Sequence, residues 1–254
     1  MRILFFGNNR LAVDAAAWLA GRPERIVGAV LHPDARRKHG DDIRRALQLP
    51  DEAIIDASTL EEPATMAAVR ALRPDIGVSV LFGYILRAPL LALLPRGCVN
   101  LHSGYLPYNR GAYPNVWSLV EGTPSGVTLH YIDEGVDTGD IIAQREVPAE
   151  PWDTAETLYA RLEAEGLALF RETWPAIVLG AAPRTPQPLA GTSHRLRDVR
   201  RIDEIDLDRQ YTGRELLDVL RARSFPPYPG AYFRANGQRI HLELRLTPRR
   251  EPQA

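Results

Sequence analysis

The chain is poor in cysteine, in lysine and in net charge. Cys98 is the only cysteine among 254 residues, which excludes an internal disulfide and a metal site built from cysteines. Such cysteine usage indicates a reducing cytoplasm. Lys38 is the only lysine, and 31 basic residues nearly balance 32 acidic ones, which gives a formal charge of -1. This balance gives no global electrostatic reason to expect nucleic acid or an anionic membrane as a partner.

Long apolar runs are also missing. No stretch approaches the roughly 18 apolar residues of a membrane-spanning helix, and the apolar run at 3–6 is too short for a secretory signal. With 45% hydrophobic and 25% charged residues, the composition is typical of a folded soluble protein. The length suits one large domain, or one domain with a smaller appendage.

Short apolar segments alternate with segments of helical periodicity along most of the chain. Residues 3–6 predict a strand, 11–19 a helix and 26–31 a second strand, which is a βαβ beginning. This order predicts an α/β fold with a Rossmann-like, mostly parallel sheet. The other predicted elements are helices at 41–47, 63–72, 88–94, 113–121 and 154–174, and strands at 76–81, 98–102, 127–132 and 141–147.

A proline-rich segment at 180–191 predicts the exit from the main domain, so we expect one domain at 1–195 and a small α+β tail at 196–254. The tail predicts a helix at 213–222 and a hairpin of strands 231–233 and 240–246 that turns at Asn236-Gly237. So small a unit rarely folds alone. Its strand carries Leu242, Leu244 and Leu246, which could form a dimer surface or pack within the same chain.

Three side chains suggest acyl transfer to an amine. Asn100 and His102 lie two positions apart on a predicted strand, so both face the same way. Asp137 follows in a loop at 133–140 with three aspartates, one glutamate and two glycines, a composition that is more often functional than structural. An imidazole can move the proton of the amine, an amide can donate to the oxyanion, and a carboxylate can orient the imidazole.

Purely structural roles are alternative interpretations of these polar residues. His102 alone could be a core histidine, and a turn can use Asp133 or Asp140 simply to bond its own backbone. His130 alternates with Thr128 in a strand leading to the acidic loop, so it could approach the substrate, although a packing role is favoured for it. The remaining histidines are interpreted as structural, and none has a metal-ligand spacing.

The run VNLHSGYLPYNRG at 99–111, together with GVTLHYIDEGVDTGD at 126–140, resembles the formyltransferases that use N10-formyltetrahydrofolate. In that family, Asn-x-His and the first aspartate of Asp-x-Gly-Asp are the catalytic trio, which the resemblance assigns to Asn100, His102 and Asp137. The resemblance implies a formyltransferase domain that needs no metal.

Finer features, among them LRARSFPPYPGAYF at 220–233, resemble the sugar N-formyltransferases. Those enzymes formylate a 3- or 4-amino group of a dideoxy sugar linked to dTDP or UDP. The resemblance implies a role in surface polysaccharide, including lipopolysaccharide O-antigen, or in glycoside biosynthesis.

The resemblance also implies binding residues. The folate would lie between two segments, Phe82, Gly83, Tyr84, Ile85 and Leu86 on one side, and the backbone of Ile132, Asp133, Glu134, Gly135 and Val136 on the other. The turn after the first strand lacks Gly-x-Gly-x-x-Gly, so it fails as a dinucleotide site. In the family this turn faces the second substrate, which makes Asn9 and Arg10 candidates; a plain helix cap is the alternative. Position and chemistry alone, with arginine for phosphate and an aromatic ring for a base, suggest the other substrate candidates: Ser103, Tyr105, Arg110, Gly111 and Tyr113, with Phe225 or Tyr228 near the base.

Three alternative functions remain at this point. Methionyl-tRNA formyltransferase shares the trio, but residues 196–254 hold twelve arginines against nine acidic residues, a small excess for binding RNA. A formyltransferase for glycinamide ribonucleotide would leave the tail unexplained. A non-catalytic folate or nucleotide-sugar binding protein would have no need of the complete trio.

Overall fold

A computed structural model describes residues 1–249 of the chain. The strands are β1 (Arg2–Gly7), β2 (Arg25–Leu31), β3 (Ile54–Asp56), β4 (Ile76–Val80), β5 (Cys98–His102), β6 (Arg110–Gly111), β7 (Gly126–Tyr131), β8 (Ile141–Glu146), β9 (Ser193–His194), β10 (Tyr232–Ala235) and β11 (Gln238–His241). The helices are α1 (Arg10–Ala20), α2 (Gly40–Leu47), α3 (Pro63–Leu72), α4 (Ala88–Leu91), α5 (Pro114–Glu121), α6 (Ala155–Leu179) and α7 (Gly213–Ala222).

Seven strands form one sheet in the order β3-β2-β1-β4-β5-β7-β8. The strands from β3 to β5 are parallel, and β7 pairs antiparallel to β5. The predicted Rossmann-like, mostly parallel fold is therefore confirmed. Because the chain crosses from one side of β1 to the other between β3 and β4, the carboxyl ends of the central strands form the edge where open α/β sheets bind ligands.

β1 shows why the centre of the sheet is apolar on both faces. Ile3 and Phe5 are completely buried in a hydrophobic cluster with α1 and the second half of α6, while Leu4 and Phe6 are completely buried in another cluster with Val69 of α3. A parallel strand covered by helices on both faces needs such a continuous apolar run.

The chain divides into two compact units. The first comprises Met1–His102, Val127–Arg145 and Gly166–Pro188, and the second comprises Ser103–Gly126, Glu146–Glu165 and the chain from Leu189 onward. Within the second unit α5 packs against α7, β6 pairs with β9, and β10 forms the predicted hairpin with β11. The domain boundary at residue 195 stays a prediction.

The structure corrects the predicted bounds of several elements. α4 ends at Leu91 rather than 94, because the residues after it make tight i to i+3 bonds. α6 continues through Pro175 to Leu179. There the Arg96 guanidinium donates to the carbonyls of Ile177 and Val178 at 2.6 and 2.9 Å, and Ile177 is buried in the core.

In the tail, β11 occupies 238–241 instead of 240–246, so Leu242, Leu244 and Leu246 lie beyond the strand. The short strands β3, β6 and β9 were not predicted, since two or three residues carry too little pattern. Within residues 1–249, no helix has both the length and the apolar character needed to cross a membrane.

Candidate active site

β5 presents two polar side chains on one face. Val99 and Leu101 point into the apolar core on the other face, so Asn100 and His102 share the remaining face, as predicted. His102 is only 4% exposed. A polar pair at the end of a central parallel strand, half-buried at Asn100 and buried at His102, lies where this fold places its chemistry.

Asp137 approaches His102 from the loop between β7 and β8. Its Oδ2 lies 3.5 Å from His102 Nδ1, a separation at which a proton-bearing imidazole and a carboxylate attract but which exceeds a direct hydrogen bond. Catalytic hydrogen bonds are often long before substrate binds. The structure thus brings the imidazole and the carboxylate of the predicted trio together.

His130 lies between two members of the trio, Asn100 and Asp137. It pairs with Asn100 across the antiparallel strands β5 and β7 and is 1% exposed. Asn100 Nδ2 lies 3.1 Å from His130 Nε2, and Asp137 Oδ1 lies 3.4 Å from the same nitrogen. The sequence favoured a packing role for His130, and the structure adds these polar contacts to it. Its alternation with Thr128 toward the acidic loop was the signal for this position.

The hydrogen positions on His130 follow from its partners. Nδ1 lies 2.8 Å from the Tyr131 carbonyl oxygen, which only accepts, so Nδ1 carries a hydrogen. In the neutral ring, Nε2 then accepts from the Asn100 amide. This contact fixes the orientation of the Asn100 side chain, because its NH2 group must face His130 and one of its two hydrogens is used there.

The other two aspartates of the loop have different partners, within the loop for Asp133 and outside it for Asp140. Asp133 Oδ1 accepts from the Gly135 backbone N–H at 3.0 Å and from the Thr138 hydroxyl at 2.6 Å. Asp140 lies 3.6 Å from the Arg184 guanidinium. Of the three aspartates that the sequence left in competition, Asp137 is the one whose carboxylate faces the histidines.

The backbone of the 133–140 loop restricts which residues fit at positions 137 and 139. Asp137 has φ +53°, in the left-handed region that a residue with a side chain rarely adopts. At Gly139, an added Cβ would lie 2.0 Å from the Tyr131 carbonyl oxygen, so only glycine fits. The tight turn thereby aims the Asp137 carboxylate back at the strand ends.

The two predicted folate segments contact one hydrophobic cluster. Phe82 and Leu86 are buried in it, and Tyr84 and Ile132 pack against it from the edge. Ile85 is 59% exposed and Val136 48% exposed. Apolar side chains left exposed on both segments can pack on the flat faces of a pterin, while its polar ring edge would need backbone groups.

Asn9 and Arg10 occupy the turn after β1. Asn9 caps α1, since its side chain accepts from the Ala12 backbone N–H at 3.0 Å. Arg10 is exposed and pairs with Asp14 at 3.2 Å. The alternative interpretation of Asn9 as a helix cap is therefore observed, and substrate contact by either residue stays a prediction.

The remaining substrate candidates lie in the second unit. Within the described part of the chain, the buried Ser103 hydroxyl has no hydrogen-bond partner. Gly111 has φ +89° and packs on the His194 carbonyl, while Arg110 donates its backbone N–H to Thr192 at 3.0 Å. The rest are Tyr105, Tyr113, and the neighbouring rings of Phe225 and Tyr228, whose centroids are 5.9 Å apart.

Two further observations concern metal ligands and the single cysteine. Among residues 1–249, no group of three or more histidine, cysteine, aspartate or glutamate side chains could hold a metal ion. Complete burial raises the pKa of the Cys98 thiol far above its ordinary value. A thiol that stays protonated is a poor nucleophile.

Comparison with known proteins agrees with this geometry. A family model described as "Formyl transferase" matches residues 24–173. The chain belongs to this formyltransferase family. A second model, described as "N-formyltransferase dimerization C-terminal domain", matches residues 198–248 of the formyltransferase.

Three relatives illustrate the match. A methionyl-tRNA formyltransferase from Anaeromyxobacter dehalogenans is 33% identical, over 95% of this chain and 78% of its own length. A structure of a 4-N formyltransferase from Francisella tularensis has a TM-score of 0.85 and 26% identity, over 97% of this chain and 98% of that one. A formyltransferase from Anoxybacillus kamchatkensis, solved with UDP-4,6-dideoxy-4-formamido-L-AltNAc and tetrahydrofolate, has 31% identity and a TM-score of 0.59, over 79% of this chain and 89% of that one.

Proposed function

We propose that this formyltransferase moves a formyl group from N10-formyltetrahydrofolate to an amino group of a nucleotide-linked amino dideoxy sugar. The observation that carries the proposal is the Anoxybacillus relative, which is 31% identical and was solved with a nucleotide-linked 4-formamido sugar and a folate. Together with the 4-N formyltransferase from Francisella, it favours the C4 amine over the C3 amine.

The geometry of the trio suggests a division of roles. Because His102 Nδ1 is the ring nitrogen next to Asp137, we assign Nε2 to the amine, from which it accepts the proton. Asp137 then stabilises the charged imidazole, and the formyl–N10 bond breaks as this proton passes to N10 of the departing tetrahydrofolate. Asn100 uses one amide hydrogen on His130, and we assign the second to the negative oxygen that develops on the formyl carbon.

The donor and the acceptor would be held by different parts of the chain. The exposed apolar side chains of Ile85 and Val136 support a folate lying between 82–86 and 132–136. For the acceptor we propose Arg110 and Tyr113 beside the sugar or diphosphate, with Asn9 and Arg10, and Phe225 or Tyr228 beside the base. Arginine suits phosphate, and an aromatic ring suits a base.

The proposal is tested by mass spectrometry after incubation with N10-formyltetrahydrofolate. The acceptors are dTDP- and UDP-linked 3-amino and 4-amino dideoxy sugars, and charged initiator methionyl-tRNA. We expect a formyl adduct on one nucleotide sugar, and we expect His102→Ala to lower kcat by about a hundredfold to ten-thousandfold, the usual contribution of a general base. Gln144→Ala, at a half-buried position outside the proposed binding segments and outside the tail, is the control. A product on tRNA alone would refute the sugar proposal.

The proposed sugar-nucleotide contact is tested in the same assay. Arg110→Ala is expected to raise KM for the sugar nucleotide at least about tenfold, as expected for loss of a charge-assisted contact, with little change in KM for the folate. An unchanged KM for the sugar nucleotide would show that Arg110 does not bind it.

Methionyl-tRNA formyltransferase remains the second candidate, because the curated relatives at 30–33% identity carry that name.

The proposal also includes a domain boundary at 195, a homodimer through the tail, a cytoplasmic location and a role in surface polysaccharide or glycoside biosynthesis. The C-terminal match supports the homodimer.

A further inference from the structure

Gln187 reaches the loop that carries Asp137 from a distant part of the sequence. It lies in the segment after α6, between the two matched regions at 24–173 and 198–248. Its side-chain Nε2 lies 2.9 Å from the Asp137 carbonyl oxygen and 2.8 Å from the Gly139 carbonyl oxygen. Both bonds are donated by one NH2 group, which has two hydrogens, one for each carbonyl.

The segment around Gln187 is itself attached beside this loop. Ile141 and Thr185 exchange two backbone hydrogen bonds of 2.8 and 3.0 Å. The Arg184 guanidinium lies 3.6 Å above the Tyr131 ring centroid, and it also faces Asp140. Residues 184–187 therefore lie beside the start of β8. The contacts of Arg184 and Thr185 hold the backbone just before Gln187 next to the loop.

The loop needs such support because its conformation is unusual. Asp137 adopts a left-handed backbone at φ +53°, and residues held in sparsely populated regions persist only when the surroundings fix them. The two Asp137 carboxylate oxygens face different histidines, at 3.5 and 3.4 Å. A small rotation of the peptide at 137 would change both distances.

We propose that Gln187 is a positioning residue that fixes the Asp137 carboxylate against His102 and His130. The proposal rests on the role of Asp137 in the proposed function. Two hydrogen bonds to two carbonyl oxygens require a primary amide of this length. A glutamate side chain has the same shape but offers two acceptors to these carbonyls. An alanine side chain makes neither hydrogen bond.

The test compares Gln187→Glu and Gln187→Ala with Gln144→Ala. Gln144 is a matched control because it is also half-buried and donates at 3.0 Å, to the Thr128 hydroxyl rather than to the loop. We expect both Gln187 variants to lose about tenfold or more in kcat, since small misplacements of reacting groups cost that much. KM for both substrates and the unfolding midpoint should stay close to wild type, and the control should resemble wild type throughout.

A second readout does not depend on turnover. In protein labelled with 15N-histidine, the ring nitrogen shifts of His102 and His130 should change in the Gln187 variants and not in Gln144→Ala. If they change while wild type formylates no acceptor, the positioning holds and the proposed function fails. Unchanged ring shifts together with unchanged kcat would overturn the positioning role.

Discussion

His32 shows, at the scale of one residue, how surroundings set the charge of an imidazole. The Asn8 amide donates to its Nδ1 at 3.0 Å, and its Nε2 donates to the Phe82 carbonyl. Burial, and to a smaller extent the charges of Arg36 and Lys38, lowers the pKa of His32 below its ordinary 6.5, against the opposing effect of the Phe82 carbonyl. The folded protein thus holds this histidine neutral beside the segment proposed to bind folate.

Acid should therefore destabilise the protein through His32. Below pH 6.5, the pKa of His32 in the unfolded chain, the unfolded chain binds a proton at this histidine more readily than the folded chain does. The free energy of unfolding therefore decreases as the pH falls below that value. Thermal unfolding from about pH 7.5 to about pH 5.5, the range in which histidine titrates, should show a smaller fall in midpoint for His32→Gln than for wild type. Equal dependence in His32→Gln and in wild type would contradict the prediction.

The residues of the candidate site differ in how well the sequence alone predicts them. The shared direction of Asn100 and His102 followed from strand alternation, which is local, whereas their catalytic role stays a prediction. The choice of Asp137 over Asp133 and Asp140 depended on the resemblance, because all three fit a turn equally well in sequence. The contacts of His130 and Gln187 join positions 30 and 50 residues apart, and no local pattern encodes such distances.

Secondary-structure elements were predicted well where the pattern was long. The apolar runs of β1, β2, β4 and β5 were found because parallel strands are buried on both faces. The end of α6 was placed too early, since Pro175 signals a helix end, and the tertiary contacts of the last turn with Arg96 override that signal. The last strand was placed too late, because alternating leucines at 242–246 look like a strand whether or not a partner strand accompanies them.

The whole molecule is expected to be a dimer. The tail matches a dimerization domain, every residue of β11 is exposed in the single chain, and Ile240 is 38% exposed there. Ile240→Lys should reduce the mass in solution from about twice 28.3 kDa toward 28.3 kDa, because a charge replaces an apolar contact. Light scattering after gel filtration measures this. Leu189→Lys, an equally apolar-to-charged change at an exposed position outside the tail, is the control. A monomeric wild type would refute the dimer.

The position of Gln187 also has a consequence for biosynthesis. A ribosome releases the chain from its amino end, so the strands bearing Asn100 and His102 and the loop bearing Asp137 emerge well before the glutamine, which lies 50 residues after Asp137. The nascent chain can form its sheet early, yet both hydrogen bonds to the loop form only after α6 and the segment behind it have been translated. The growing polypeptide therefore carries all the proposed catalytic side chains before Gln187 can bond the loop that bears Asp137.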